Sequence, residues 1–183
     1  MVGAVASGSG RGKSADVLLA VKTVLFVCHA NTARSIIAQV LLERMVAEHG
    51  ASGRIRIRSG GIANYARDGM LPSLDARIVL REDGIELTED GLVSTDLRRH
   101  RHIMGEADLI LTMTAQQKDA VGSYAEAGGR PIFTLKEWAG EQGDIADPAT
   151  QGEDVFRACR DEIKRCLERG FNRLLLALAG RAD

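Results

Sequence analysis

The sequence predicts an α/β domain built on a parallel sheet with crossover helices, and three observations lead there. From Val21 onward the chain repeats one pattern, an apolar run, a loop and an amphipathic helix, which is the order a parallel sheet requires because parallel neighbours must be joined by a crossover. Val24 to Val27 is a short, wholly apolar run, as in a central strand covered on both faces. The length of 183 residues fits one domain, and 45% hydrophobic with 27% charged residues excludes disordered, collagenous and membrane-spanning chains.

Residues 1–20 are rich in glycine and serine and lack a hydrophobic period, so they read as a flexible extension ahead of a domain over 21–183. Within them Gly12-Lys13-Ser14 imitates the end of a nucleotide-binding loop, but Ser7 stands where that motif needs glycine, and no strand precedes it. After the strand at Val24–Val27, Ser35 to His49 carries Ile36, Val40, Leu41 and Met45 at helical spacing. Arg54 to Arg58 alternates arginine and isoleucine, a strand with one charged face; Leu74 to Glu82 is a helix ended by Gly84 and Ile85. Thr95 to Gly105 reads as a polar helical stretch leading into a strand within Ala107 to Met113. Thr114 caps a short helix through Val121, Pro131 to Leu135 is the fourth strand, and a long helix runs from Glu153 to Ala179. Its expected core contacts are Phe156, Cys159, Ile163, Cys166 and Leu174. Four strands and five helices result.

A net charge of −1 creates no global field for nucleic acid or an anionic membrane, so an anion must be held by a local site. The run Arg98-Arg99-His100-Arg101-His102 has no interleaved aromatics and reads as a solvated face, not a nucleic-acid surface. Three cysteines, Cys28, Cys159 and Cys166, cannot all pair, and no signal peptide stands out; the expected setting is the cytoplasm, with reduced thiols. Neither a metal nor another cofactor is expected, because His29, His49, His100 and His102 form no ligand set with cysteines or carboxylates.

The chemistry concentrates after the first strand, in Cys28-His29-Ala30-Asn31-Thr32-Ala33-Arg34-Ser35. A cysteine at a strand end and an arginine where a helix begins suit an oxyanion: loop amides curl around its oxygens, the helix N-terminus adds partial positive charge, and a guanidinium fork meets two of them. A free thiol of pKa ~8.5 is barely ionised at neutral pH, and electropositive settings lower that to roughly 3.5–7.5. Each unit is about 1.4 kcal/mol, and a helix dipole supplies roughly 0.3–2 kcal/mol. The amides, Arg34 and the Ser35 hydroxyl must therefore contribute as well. The alternative, a cysteine that merely fills the core, leaves Arg34 and Ser35 at this spacing without a reason.

The Cys28-x5-Arg34-Ser35 loop, with Asp147-Pro148 late in the chain, resembles the low-molecular-weight protein tyrosine phosphatase family over about residues 22–178. The resemblance implies a three-layer sandwich in which helices flank a central four-stranded parallel sheet, with the phosphate loop after the first strand. It implies catalysis by Cys28, Arg34 and Asp147, with residues 29–35 holding the phosphate. Cys28 attacks phosphorus; Asp147 protonates the leaving atom and then activates the water that hydrolyses the phosphocysteine. Asp144, three residues earlier, competes for the acid's role. Asn31 and Ser35 match positions that brace the loop, and Ser59 in Arg58-Ser59-Gly60-Gly61 resembles the family's support segment.

Thr32, two residues before the arginine, bears on specificity. Threonine there resembles the protein arginine phosphatase branch, as do Thr134-Leu135-Lys136-Glu137-Trp138 and Gly143-Asp144-Ile145-Ala146-Asp147-Pro148. A hydroxyl suits a polar guanidinium and leaves less apolar wall for a phenyl ring. The implied partner is a phosphorylated protein, most readily one carrying phosphoarginine, with phosphotyrosine as the alternative. The chain departs from both branches at Ala149-Thr150, where an aromatic usually follows Asp-Pro; Tyr65 and Trp138 are candidate replacements, though each also suits packing or surface. Ala33 stands where many relatives carry a second loop cysteine. Arsenate reduction, which needs relay cysteines this chain lacks, and a non-catalytic phosphate-binding module, which would need neither thiolate nor proton donor, are the remaining alternatives.

Overall fold

A computed structural model describes residues 22–179; the extension expected over residues 1–20, with its Gly12-Lys13-Ser14 segment, lies outside the described residues. The elements run β1 (Lys22–Cys28), α1 (Arg34–Glu48), β2 (Ile55–Gly61), α2 (Leu74–Glu82), α3 (His102–Glu106), β3 (Leu109–Thr112), α4 (Ala115–Gly122), a 3-10 turn (Ala125–Ala127), β4 (Ile132–Thr134), α5 (Leu135–Trp138) and α6 (Glu153–Ala179). The four strands form one parallel sheet in the order β2-β1-β3-β4.

The alternation along β1 makes three layers. Val24, Phe26 and Cys28 face a core with Ile36, Ile37 and Leu41 of α1, Val79 and Leu80 of α2, and Phe156, Ile163 and Cys166 of α6. Leu25 and Val27 face the opposite core, with Ile103 and Met104 of α3, Val121 of α4 and Leu97. Leu25 and Phe26 are wholly buried, and burying such a side chain contributes about 1.5–3 kcal/mol. This central position places the C-terminal end of β1, and Cys28 with it, in the middle of the sheet's upper edge. Among the described residues no helix is long and apolar enough to cross a membrane.

Two local expectations need correction. The stretch Thr95 to Gly105 is not one helix: only its end enters α3, and Asp96 instead bridges to Gly61. The sheet edge captures it, with Gly61 N–H donating to Thr95 O (2.8 Å) and Leu97 N–H to Gly61 O (3.0 Å), while Asp96 Oδ1 accepts from its own turn at Arg98 N (3.0 Å). The described residues also hold six α-helices where about five were expected, because β4 stops at Thr134. The Thr134 hydroxyl and Glu137 carboxylate form a reciprocal capping box that starts α5 at once. Elsewhere α2 ends as expected, with Gly84 at φ 76° and Ile85 N–H returning to Leu80 O (2.9 Å).

Candidate active site

The residues after β1 form a tight loop whose shape is set from outside as much as from within. Cys28 O accepts from Ile62 N–H (3.0 Å), His29 O from Ala63 N–H (3.0 Å) and Thr32 O from Ser73 N–H (2.8 Å). Gly61 at the end of β2 lies directly under the loop; a Cβ there would stand 2.8 Å from both the Ala30 carbonyl carbon and the His29 oxygen. Only glycine permits that approach. Asn31 takes φ 60°, a left-handed conformation that asparagine accepts more readily than most residues.

Asn31 is also the hub of the loop. It is wholly buried, its Oδ1 accepts from Thr95 N–H (2.8 Å), and its Nδ2 donates to Ser35 Oγ and to Ser59 Oγ, each at 2.8 Å. The sequence reading had grouped Asn31, Ser35 and Ser59, and the structure brings all three together. Cys28 Sγ, buried against α1, lies 2.9 Å from Ser35 Oγ and accepts from Asn31 N–H at 3.3 Å. Ala33, the N-cap of α1, supplies no side-chain cap, so the first amides of the helix are left for whatever the loop holds.

Arg34 opens α1 and is almost fully buried. Its NH1 donates to Ile145 O (2.9 Å), and its NH2 meets the Asp147 carboxylate and lies 3.3 Å from His29 Nδ1. His29 Nδ1 is itself 3.5 Å from Asp147 Oδ2, and the Asp147 side chain is 43% exposed. Thiol, cation and carboxylate thus converge at one mouth although Cys28 and Asp147 stand 119 positions apart in the sequence. Asp144 goes elsewhere: its Oδ1 accepts from Ala115 N–H (2.8 Å) at the start of α4.

Of the two candidate aromatics, Tyr65 stands at the mouth, exposed, with its ring edge-on to His29 at 6.4 Å between centroids. Trp138 packs far from it, its Nε1–H donating to Gly170 O (3.2 Å) and its ring under Arg173. Cys159 and Cys166 fill the core as expected. Burial pushes the Cys159 thiol up to about 12 and raises that of Cys166, so both stay neutral. Part of the basic run is paired locally, Arg98 with Asp96 and Arg99 and His100 with Asp68, while Arg101 lies over the Tyr124 ring. Three contributors escaped the sequence reading: Ile145 and Thr95 act through backbone atoms and leave no signal, whereas Gln39, 2.6 Å from Ser59 Oγ, is a buried polar residue four beyond Ser35 on one helix face.

A loop of this kind can hold a tetrahedral oxyanion beside a thiolate and an acid. Comparison with known proteins points the same way. A family model described as low molecular weight phosphotyrosine protein phosphatase matches residues 23–177. A protein-arginine-phosphatase of Geobacillus stearothermophilus is 35% identical over 147 residues, 80% of this chain and 91% of that protein. One from Bacillus subtilis is 32% identical over 145 residues, 79% of this chain and 91% of that protein. The solved structure of the YwlE arginine phosphatase from Geobacillus stearothermophilus superposes with a TM-score of 0.73 at 31% identity, covering 88% of this chain and 98% of that one.

Proposed function

The chain belongs to the low molecular weight phosphotyrosine protein phosphatase family, and from that premise we propose that it hydrolyses phosphoarginine in proteins by way of a phosphocysteine at Cys28. The observation that carries this reading is the convergence of Cys28 Sγ, the Arg34 guanidinium and the Asp147 carboxylate around a loop braced by Asn31. The relatives named as protein-arginine-phosphatases and the hydroxyl of Thr32 support arginine over tyrosine as the side chain released.

The phosphoryl group enters the loop and takes over the Arg34 fork, two oxygens on two N–H groups. Asp147, relieved of Arg34, carries a proton to the leaving atom. Cys28 sulfur forms a bond to phosphorus as the bond to the arginine nitrogen breaks; the nitrogen takes the proton of Asp147 and the unmodified guanidine departs. In the second half Asp147 removes a proton from water, the water oxygen bonds to phosphorus, and the sulfur leaves as thiolate, stabilised by the Ser35 O–H 2.9 Å away. The products are inorganic phosphate and the starting enzyme. Proton transfer of this kind contributes roughly 10²–10⁴ in rate. Thr32, half-buried beside the anchor of α2 at Ser73, offers its hydroxyl to the guanidine, and Asp147 at the mouth offers the same group a carboxylate.

The proposed chemistry needs Cys28 as a free thiol, and the reducing cytoplasm is the setting that suits this reading. Its partner is a phosphorylated protein. Rates on matched phosphoarginine and phosphotyrosine peptides test the reading. Wild type is expected to favour phosphoarginine, Thr32→Ile to shift the ratio toward phosphotyrosine by about tenfold, the worth of one hydrogen bond, and Cys28→Ser to stop both. A wild type that favours phosphotyrosine, with the ranking unmoved by Thr32→Ile, overturns the choice of arginine.

A further inference from the structure

Ser35, Gln39 and Glu43 stand four residues apart on one face of α1, and the polar stripe they make runs from the phosphate loop to the surface. Gln39 is 6% exposed, deep for an amide. Its Nε2 donates to Glu43 Oε1 (2.9 Å); a carboxylate only accepts, so the amide can face one way only. Gln39 Oε1 is thereby turned to Ser59 Oγ, 2.6 Å away, and the Ser59 hydroxyl must be the donor. The Ser59 oxygen then presents lone pairs to Asn31 Nδ2, whose orientation is set independently by Thr95 N–H on Oδ1. The second Nδ2 hydrogen goes to Ser35 Oγ. With its oxygen accepting, Ser35 has its own hydrogen free for Cys28 Sγ at 2.9 Å.

Two contacts direct this chain: Gln39 makes the Ser59 hydroxyl its donor and so an acceptor for Asn31, and Thr95 N–H turns the Asn31 amide. We propose that Gln39 is a positioning residue for the phosphate loop: by accepting from Ser59 it keeps that hydroxyl an acceptor for Asn31 and so steadies the amide that fills Ser35 Oγ beside the sulfur of Cys28. The inference rests on Cys28 being the nucleophile. Without the Gln39 carbonyl, the Ser59 hydroxyl loses its acceptor and turns to its other neighbours. Asn31 then loses one of the three ties of its side chain, and the Ser35 oxygen beside the sulfur is held less firmly. Coupled polar groups of this kind respond as a unit.

Alkylation of Cys28 by iodoacetamide at pH 6, followed on the Cys28 peptide by mass spectrometry in the full chain, reads the relay without turnover, because only the thiolate reacts. Gln39→Met keeps the bulk and removes the acceptor; alkylation is expected to slow about tenfold, with kcat falling in parallel and KM nearly constant. Exchanging the outer pair, Gln39→Glu with Glu43→Gln, returns an acceptor to Ser59 and a donor to the partner, and restores the rate. A purely structural Gln39 would lower the melting temperature and leave the alkylation rate alone, so an unchanged rate in Gln39→Met overturns the proposal, as does an exchanged pair as slow as Gln39→Met. Should Gln39→Met fail to fold, the surface change Glu43→Leu decides: freeing the amide to flip is expected to slow alkylation about threefold, and no change overturns the proposal. If wild-type Cys28 reacts no faster than a free thiol, the assignment of Cys28 as nucleophile fails instead.

Discussion

Asn31, in the loop after β1, and Thr150, three residues beyond Asp147, share an uncommon backbone state, φ 60° and 64°, and they are held in it by different means. Asn31 is buried, with its amide committed to Ser35, Ser59 and Thr95. Thr150 is exposed, in a turn closed by Ala149 N–H to Asp147 Oδ1 (3.2 Å) and Gln151 N–H to Pro148 O (3.2 Å). The contrast divides the site into a half built for constancy and a half built for exchange. The cradle around Asn31 must present the same amides to every oxyanion. In the proposed reaction the Asp147 segment changes partners within one turnover, from the Arg34 guanidinium to a leaving nitrogen and then to water, which a network as dense as that of Asn31 would forbid.

The largest expected effect lies on the exchanging half. Asp147→Asn keeps the turn but cannot carry a proton, and kcat is expected to fall roughly 10²–10⁴-fold on substrates with poor leaving groups and far less on activated aryl phosphates. Equal losses on both would remove Asp147 from the acid's role. On the constant half, Asn31→Ala strips Ser35, Ser59 and the Thr95 amide of a partner at once. It is expected to lower unfolding free energy by about 1–3 kcal/mol, seen in urea titration, and to cut kcat with it; a loss in one measure without the other would separate brace from catalyst. The smallest effect belongs to Thr150→Gly. Relief of the left-handed threonine against the added freedom of glycine leaves a gain of at most about 1 kcal/mol, with kcat within about twofold of wild type. A large loss of rate there would show that the turn is not loose at all.

What could be read in the sequence was whatever is written locally. Cys28, Arg34 and Ser35 lie within one turn of loop and helix, and their spacing carries the chemistry. The runs Val24–Val27 and Leu109–Leu111 are apolar without interruption because both faces of the sheet are covered there. Asp147 was found as a motif, and a distant fact favours it over Asp144: Asp144 accepts from Ala115 N–H at the start of α4. Thr95 to Gly105 misled because its polar residues suit a helix surface, while the groups that decide its path are the backbone atoms of Gly61. The capping box at Thr134 and Glu137 was visible, yet it follows a strand without any loop between them. Gln39 was equally visible on the face of Ser35, and its meaning needed Ser59 opposite it.

Because β2 ends in a bare glycine against Ala30, the contour of the cradle is cast by the sheet before any guest arrives. Such a mould fits tetrahedral oxyanions by size and shape and is blind to what the phosphate was attached to. On the proposed function, discrimination among phosphorylated proteins therefore falls to the rim, with Thr32, Tyr65 and Asp147 as the residues to meet an incoming side chain.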